Sequence, residues 1–318
     1  MRKKEEIDDG TGAWERRMLR DIATAGLKEQ RRARQWGIFF KLLTFAYLTA
    51  LLYLLWQGEY ADSGPKGKHT ALVDLKGVIA PGEEAGADNV VQGLRDAFEE
   101  DNVEAVILRI NSPGGSPVQA GYINDEITRL REKYPETPLY AVIADIAASG
   151  GYYVAVAADR IYADKASLVG SIGVRMDGFG FVGAMDKVGV ERRLFVAGDH
   201  KALLDPFLPL DKLEAGHIRK LLEDIHGQFI EVVRQGRGDR LAGGDELFSG
   251  LIWTGDESVQ LGLVDELGSA GYVAREVVGE EDIVDYTYKR DWLTRLSDRF
   301  GSAVARGLES RLFETGIR

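Results

Sequence analysis

A chain of 318 residues with 45% apolar content has material for one large domain with appendages, or two small domains, around a sizeable buried core. Its net charge of -11 speaks against a nucleic-acid partner, because a phosphate-binding surface needs a basic excess on the folded part. The absence of cysteine excludes disulfides, zinc-thiolate sites and a thiol nucleophile, and the four histidines (His69, His200, His217, His226) form no H-E-x-x-H frame. Neither a metal nor a cofactor is expected.

The amino-terminal residues 1–37 alternate charges with Trp14, Leu19, Ile22 and Leu27, which reads as a loosely structured tail or a surface helix. From Ile38 to Trp56 the sequence is apolar with one charge, Lys41, and as a helix it covers roughly 28 Å, enough to cross a bilayer. Trp36 and Trp56 stand where interfacial aromatics belong. A cleaved signal is disfavoured, since a long segment precedes the run and no small-residue cleavage site follows it. Arg16, Arg17, Arg20, Lys28, Arg31, Arg32 and Arg34 precede the span, whereas only Lys66 and Lys68 follow it closely. By the positive-inside rule the amino terminus is cytoplasmic and the rest is periplasmic or extracytoplasmic.

Residues 58–69 have the glycine, proline and charge content of a linker. A strand-like run then begins at Ala71–Leu75, and the periods alternate: Val90, Leu94 and Phe98 at helical spacing, a β-rich run over Val103–Ile110, a helix through Ile123, Ile127 and Leu130, and a short strand over Leu139–Ala144. Alternation of this kind builds a mostly parallel sheet with helices packed on it. A long amphipathic helix is expected over Asp211–Val233, with Asp211 and Glu214 in capping-box positions. His217 and His226 ride on it and read as structural. Trp292, Leu296, Phe300, Val304, Leu308 and Leu312 form one stripe in the carboxyl tail, which suits a membrane surface or packing on its own domain or a neighbouring subunit.

Between the second strand and the helix after it lies Asn111-Ser112-Pro113-Gly114-Gly115-Ser116-Pro117. Ser116 is a good N-cap with Pro117 at the first helical position and Gln119 in the capping-box place, so two glycines stand directly before a helix start. Their backbone N–H groups suit an anion or an oxyanion, although the loop alone reads first as a plain tight turn.

Ala147-Ala148-Ser149-Gly150-Gly151-Tyr152-Tyr153 sets one serine among small residues where an apolar strand meets a helix-like run. A hydroxyl there gains from the free N–H of Gly150 and the partial positive charge of the helix start. By itself the stretch is also a close-packed crossing of small residues. The hydroxyl needs a base, and His200 and Lys201 are adjacent, so on an extended segment only one of them faces Ser149. Serine–lysine pairs are a variant of the triad logic in which burial favours the neutral amine. Ser171, in Gly170-Ser171-Ile172-Gly173-Val174, is a candidate to orient the lysine; read locally, Lys201 is a solvated loop residue.

At these residues the chain resembles the bacterial signal peptide peptidase A family, including its SohB-like members, serine peptidases of the ClpP/crotonase superfamily. The matching pieces are R-I-N-S-P-G-G (Arg109–Gly115), A-S-G-G-Y-Y-V-A (Ala148–Ala155), A-D-x-I-x-A (Ala158–Ala163), G-S-I-G-V (Gly170–Val174), H-K-A-L-L-D-P-F (His200–Phe207) and W-T-G-x-x-x-V-x-L-G-L-V-D (Trp253–Asp265). Each occurs once, so the resemblance is to single-copy members. It implies a repeated ββα core with a parallel sheet over residues 70–280, preceded by a transmembrane anchor at 38–57 and followed by an amphipathic tail at 281–318. It further implies Ser149 as nucleophile, Lys201 as general base, Ser171 holding the lysine, the amides of Gly114 and Gly150 as oxyanion hole, and Gly115 and Gly151 along the substrate groove. Leu251 stands where the family often has arginine, and Val169 where it often has threonine.

The expected function is a membrane-anchored serine endopeptidase that cleaves apolar peptides, such as remnant signal peptides or membrane-protein fragments; the resemblance further implies a ring or dome of identical subunits, with Ser149 served by Lys201 of its own chain or of a neighbouring copy. A protease of a membrane quality-control complex is the alternative. A crotonase-like acyl-CoA enzyme is a remoter one, disfavoured by the span, and a catalytically silent scaffold is disfavoured by the intact dyad.

Overall fold

The computed structural model describes residues 10–60 and 67–289 and divides into two compact units between Gly64 and Pro65. In the first, α1 (Gly10–Tyr60) is one unbroken helix. The segment ahead of the span, expected to be loosely structured, is helical from Gly10, and the helix also runs through the start of the expected linker. Leu27-Lys28-Glu29-Gln30-Arg31-Arg32-Ala33-Arg34 explains the extension: all are strong helix formers, with no proline to stop them. Within α1, Gln30–Tyr53 is long and apolar enough to cross a membrane, with mean hydropathy 1.5. Trp36 stacks on Phe40 and meets Phe39 edge-on, both at 5.7 Å.

The second unit is built on an eight-stranded sheet ordered β6-β5-β3-β2-β1-β8, with β4 and β7 branching from β3. Its central strands are β1 (His69–Lys76), β2 (Val103–Ser112) and β3 (Leu139–Ala148), all parallel. They read as near-continuous apolar runs because both faces are covered. Ala71, Val73 and Leu75 of β1, with Val106, Leu108 and Ile110 of β2, enter the main core. Leu72, Ile107 and Val142 point to a smaller core on the other face, under Val273 and Ala274.

Two helices cover the main face. α2 (Ala87–Glu99) buries Val90, Leu94 and Phe98, and α3 (Pro117–Lys133) buries Ile123, Ile127 and Leu130, as their spacing predicts. Ser116 caps α3 by accepting the Gln119 amide at 3.4 Å. The expected capping box is absent, because the Gln119 side chain instead accepts the Ala87 amide at 2.9 Å and ties α2 to α3.

Strand β3 forks. Tyr140–Ile143 pair with β4 (Arg160–Ala163), while Ile146–Ala148 pair with β5 (Leu168–Gly170). The strand is longer than its apolar run because this second half still finds a partner. After the fork come Ser149 and the short helix α4 (Gly150–Ala155). Farther on stand α5 (Val182–Val188), α6 (Lys212–Arg237), β6 (Ile252–Thr254), α7 (Gly255–Gln260), β7 (Glu266–Leu267), α8 (Ala270–Tyr272, continued by a π-turn) and β8 (Ile283–Asp285). β8 pairs with β1, so the sheet continues past the boundary expected at residue 280. The expected amphipathic stripe from Trp292 lies outside the described residues.

Candidate active site

Ser149 occupies the turn from β3 to α4 with φ 52° and ψ -121°. A non-glycine residue there costs about 1–3 kcal/mol and persists only where its surroundings over-determine it. Its amide donates to the Gly170 carbonyl at 2.8 Å, and its own carbonyl accepts the amides of Tyr152 and Tyr153, both at 2.9 Å. Ala148 is the register partner of Gly170, so Ser149 and Ser171 follow side by side at the carboxyl ends of β3 and β5. Ser171 is strained in the same sense, with φ 51°. The structure therefore brings the two serines together, and among the described residues neither hydroxyl has a hydrogen-bond partner.

The glycine loop lies against this turn. A Cβ on Gly114 would fall 2.6 Å from the Gly150 nitrogen, and one on Gly150 would fall 3.3 Å from the Gly115 nitrogen. Only glycine allows the approach at Gly114, whose φ is 94°. The Ile79 amide donates to the Gly114 carbonyl at 2.9 Å and the Ser116 amide to the Ile79 carbonyl at 2.7 Å, pinning the loop to the end of β1.

Of the two amides expected to hold an oxyanion, only that of Gly150 is free among the described residues. The Gly114 amide donates to Ser112 Oγ at 3.1 Å, and the Ser112 hydroxyl donates to the Gly77 carbonyl at 2.6 Å. The free amide of the loop belongs to the next residue, Gly115. Gly115 and Gly151, expected along a groove, are also close-packing positions: Cβ atoms there would collide with the Ile79 and Ser112 carbonyls.

Lys201 makes no hydrogen bond to Ser149 among the described residues. It is exposed, on a turn where its amide donates to the Gly198 carbonyl at 3.1 Å. This turn belongs to an arm that leaves the core after Ile172, and no residue from Gly173 to Gln228 is buried. The arm has its own knot, built on the D-P-F of the lysine motif. Asp205 accepts the Phe207 amide and an Arg192 guanidinium N–H, both at 2.9 Å, which hold its carboxyl below the usual range. Phe207 stacks on Phe181 at 5.5 Å, and the Phe181 amide donates to the Pro206 carbonyl at 2.7 Å. Arg192, Leu194, Val196, Lys201 and Leu204 line an open cavity of about 360 Å³ beside the knot; neither serine belongs to it.

His200 sets its Nδ1 3.1 Å from Glu214 Oε1. This contact takes the Glu214 side chain away from the capping box expected with Asp211. Asp211 still caps α6, accepting the Leu213 and Glu214 amides at 2.8 and 3.0 Å. His226 Nε2 lies 3.1 Å from the Ile172 carbonyl, in keeping with a structural role.

Three further residues shape the site without a signal in local sequence. The Tyr152 hydroxyl, fully buried, donates to the Leu263 carbonyl at 2.8 Å. The Leu251 carbonyl accepts the Ser171 amide at 2.7 Å, and the Trp253 ring lies against Gly170. Such contacts join residues far apart in the chain, and only the family motifs that contain Tyr152 and Trp253 pointed to them.

Comparison with known proteins identifies a family. Residues 131–283 match the family described as Peptidase family S49. A candidate protease of Methanocaldococcus jannaschii is 30% identical over 241 residues, covering 74% of this chain and 76% of that protein. A candidate signal peptide peptidase of Enterococcus faecium is 28% identical over 258 residues, covering 78% and 74%. A protein of Brucella abortus named as the Na(+)/H(+) antiporter NhaA is 42% identical over 188 residues, which are 59% of this chain and only 25% of the length of that relative. With the family match over residues 131–283 and a relative 30% identical that is covered over 76% of its length, the chain belongs to peptidase family S49.

Proposed function

We propose that the protein is a membrane-anchored serine endopeptidase that hydrolyses apolar peptides, among them spent signal peptides, with Ser149 as nucleophile and Lys201 of a second copy as general base. One observation carries this reading: a strained serine at the mouth of α4 with two unpaired amides, of Gly150 and Gly115, beside it. The neutral Lys201 amine takes the Ser149 proton as Oγ attacks the scissile carbonyl, and the two amides hold the resulting oxyanion. The lysine ammonium then gives its proton to the leaving amine, and water resolves the acyl-enzyme by the same steps in reverse. Ser171, which follows the register partner of Ala148, orients the incoming lysine.

Supply of the lysine by another copy is supported by the arm. It leaves Phe179, Val188, Phe195, Leu210 and Leu213 between 69% and 93% exposed, apolar side chains that a neighbouring copy would cover. Anchoring is supported by the apolar stretch of α1, and an extracytoplasmic catalytic domain by the basic residues ahead of it. The signal-peptide substrate class is supported by the name of the Enterococcus faecium relative.

Mixing subunits tests the reading. Ser149→Ala and Lys201→Ala assemblies are each expected to lose hydrolysis of a fluorogenic apolar peptide with the fold kept, and to regain part of it when mixed and reassembled. Wild-type turnover in either variant overturns the dyad; no recovery on mixing overturns the shared site.

A second reading is favoured by the Brucella abortus relative, in which a region like this chain forms part of a protein named as a membrane antiporter. Under it the enzyme works on or beside a membrane transport protein, as a quality-control protease. Crosslinking in intact membranes distinguishes the two: a transporter captured by Ser149→Ala supports the second, and captured small apolar peptides support the first.

A further inference from the structure

The motif Trp253–Asp265 has no part in the chemistry above, yet it meets the nucleophile turn from two sides. On one side β6 pairs antiparallel with β5, Trp253 opposite Val169, and a Cβ on Gly170 would come within 2.8 Å of the Trp253 ring. Gly170 in turn receives the Ser149 amide. On the other side the Leu263 carbonyl takes the Tyr152 hydroxyl at 2.8 Å.

Leu263 is itself held. Its amide donates to the Ser258 carbonyl at 2.8 Å, and the neighbouring Gly262 carbonyl accepts Arg237 Nε at 2.8 Å. Two residues on, Asp265 accepts both Arg237 terminal nitrogens at 2.8 and 3.0 Å and the Ile161 amide at 2.7 Å. A segment locked from so many directions is a fixed post. Tyr152 stands three residues after Ser149, and its own amide already donates to the Ser149 carbonyl. Tying its hydroxyl to the post sets the first turn of α4, and with it the ψ of Ser149 and the direction of the Gly150 amide. Strained backbone persists only under that kind of restraint.

We propose that Tyr152 is a positioning residue for the Ser149 nucleophile, acting through the bond from its buried hydroxyl to the Leu263 carbonyl. The proposal rests on the assignment of Ser149 as nucleophile. Tyr152→Phe keeps the ring and its volume, removes one donor and leaves the Leu263 carbonyl unpaired. In the full-length protein it is expected to lower kcat roughly tenfold with KM held within about twofold. Labelling of Ser149 by a fluorophosphonate should slow in parallel, while the midpoint of the pH profile stays in place.

Tyr286→Phe is the control. It loses a hydroxyl hydrogen bond of 2.9 Å to His69 at the opposite end of β1, and is expected to keep the wild-type kcat and labelling rate whatever it loses in Tm. Arg237→Lys loosens the Leu263 post from behind without touching the turn, and is expected to lower kcat in the same sense with KM kept, so the proposal stays testable where Tyr152→Phe fails to fold. Wild-type kcat and labelling in Tyr152→Phe overturn the proposal, as does wild-type kcat in Arg237→Lys if only that variant folds. Labelling that survives Ser149→Ala overturns the nucleophile and this proposal together.

Discussion

Arg237 is 2% exposed near the carboxyl end of α6, and its guanidinium is satisfied by the Gly262 carbonyl and both oxygens of Asp265. Burial pushes the Asp265 carboxyl up, but hydrogen bonds from Arg237 and the Ile161 amide, with the nearby charge of Arg240, outweigh it and hold the group ionised below the ordinary carboxylate range. A pair this deep gains little over an apolar contact, whereas removing one partner strands the other charge. Asp265→Asn is therefore expected to cost about 3–5 kcal/mol, read from chemical denaturation, while a surface pair such as Arg193 with Glu191 is worth under about 1 kcal/mol. A loss as small as the surface pair's would show that Arg237 finds other acceptors. The sequence marks Asp265 as the end of a motif; that it neutralises Arg237 follows only when the end of α6 is laid against the segment ahead of β7.

At the scale of elements, α2 and α3 are joined by Glu126, which is mostly buried and takes Arg129 from its own helix and Arg95 from α2. The Arg129 hydrogen bond is the main cause that lowers the Glu126 carboxyl from 4.5 to about 2, with burial opposing and Arg95 adding to the fall. The folded value lies below the unfolded one, so this stabilisation is fully present above about pH 4.5 and is lost as pH falls through about 2. Glu126→Gln is expected to lower Tm at pH 6, and the gap from wild type should close as thermal melts are taken from pH 4.5 toward pH 2. A gap that stays constant over that range rules out the ion pair as its source. The spacing of Ile123, Ile127 and Leu130 revealed α3, and that of Val90, Leu94 and Phe98 revealed α2. The tie between them was not legible, because an acid between apolar positions reads the same whether it faces water or a neighbouring helix.

For the whole molecule, the arm from Gly173 onward is what a single chain leaves uncovered. Phe195 is 93% exposed and Phe179 83%, while the knot of Asp205, Phe207 and Arg192 keeps the arm ordered without a core of its own. In the assembly proposed above, a second copy covers this surface. Changing Phe179 and Phe195 together to serine is expected to reduce the assembly seen by sedimentation in detergent and to abolish hydrolysis, with Tm nearly unchanged. A double variant that sediments as wild type would remove the arm from the interface.

The chain by itself determined the alternation of strand and helix, the apolar span, and the serine, glycine and lysine motifs, because period, composition and short-range turn chemistry are local properties. Tertiary structure decided the rest. The fork of β3 places Ser171 beside Ser149, the Ser112 hydroxyl takes the Gly114 amide and leaves that of Gly115 free, and the stretch from Gly173 to Gln228 that carries Lys201 buries no residue of its own. These outcomes depend on which distant segments compete for the same hydrogen bonds and the same buried surface, and that competition is settled only when the sheet is assembled.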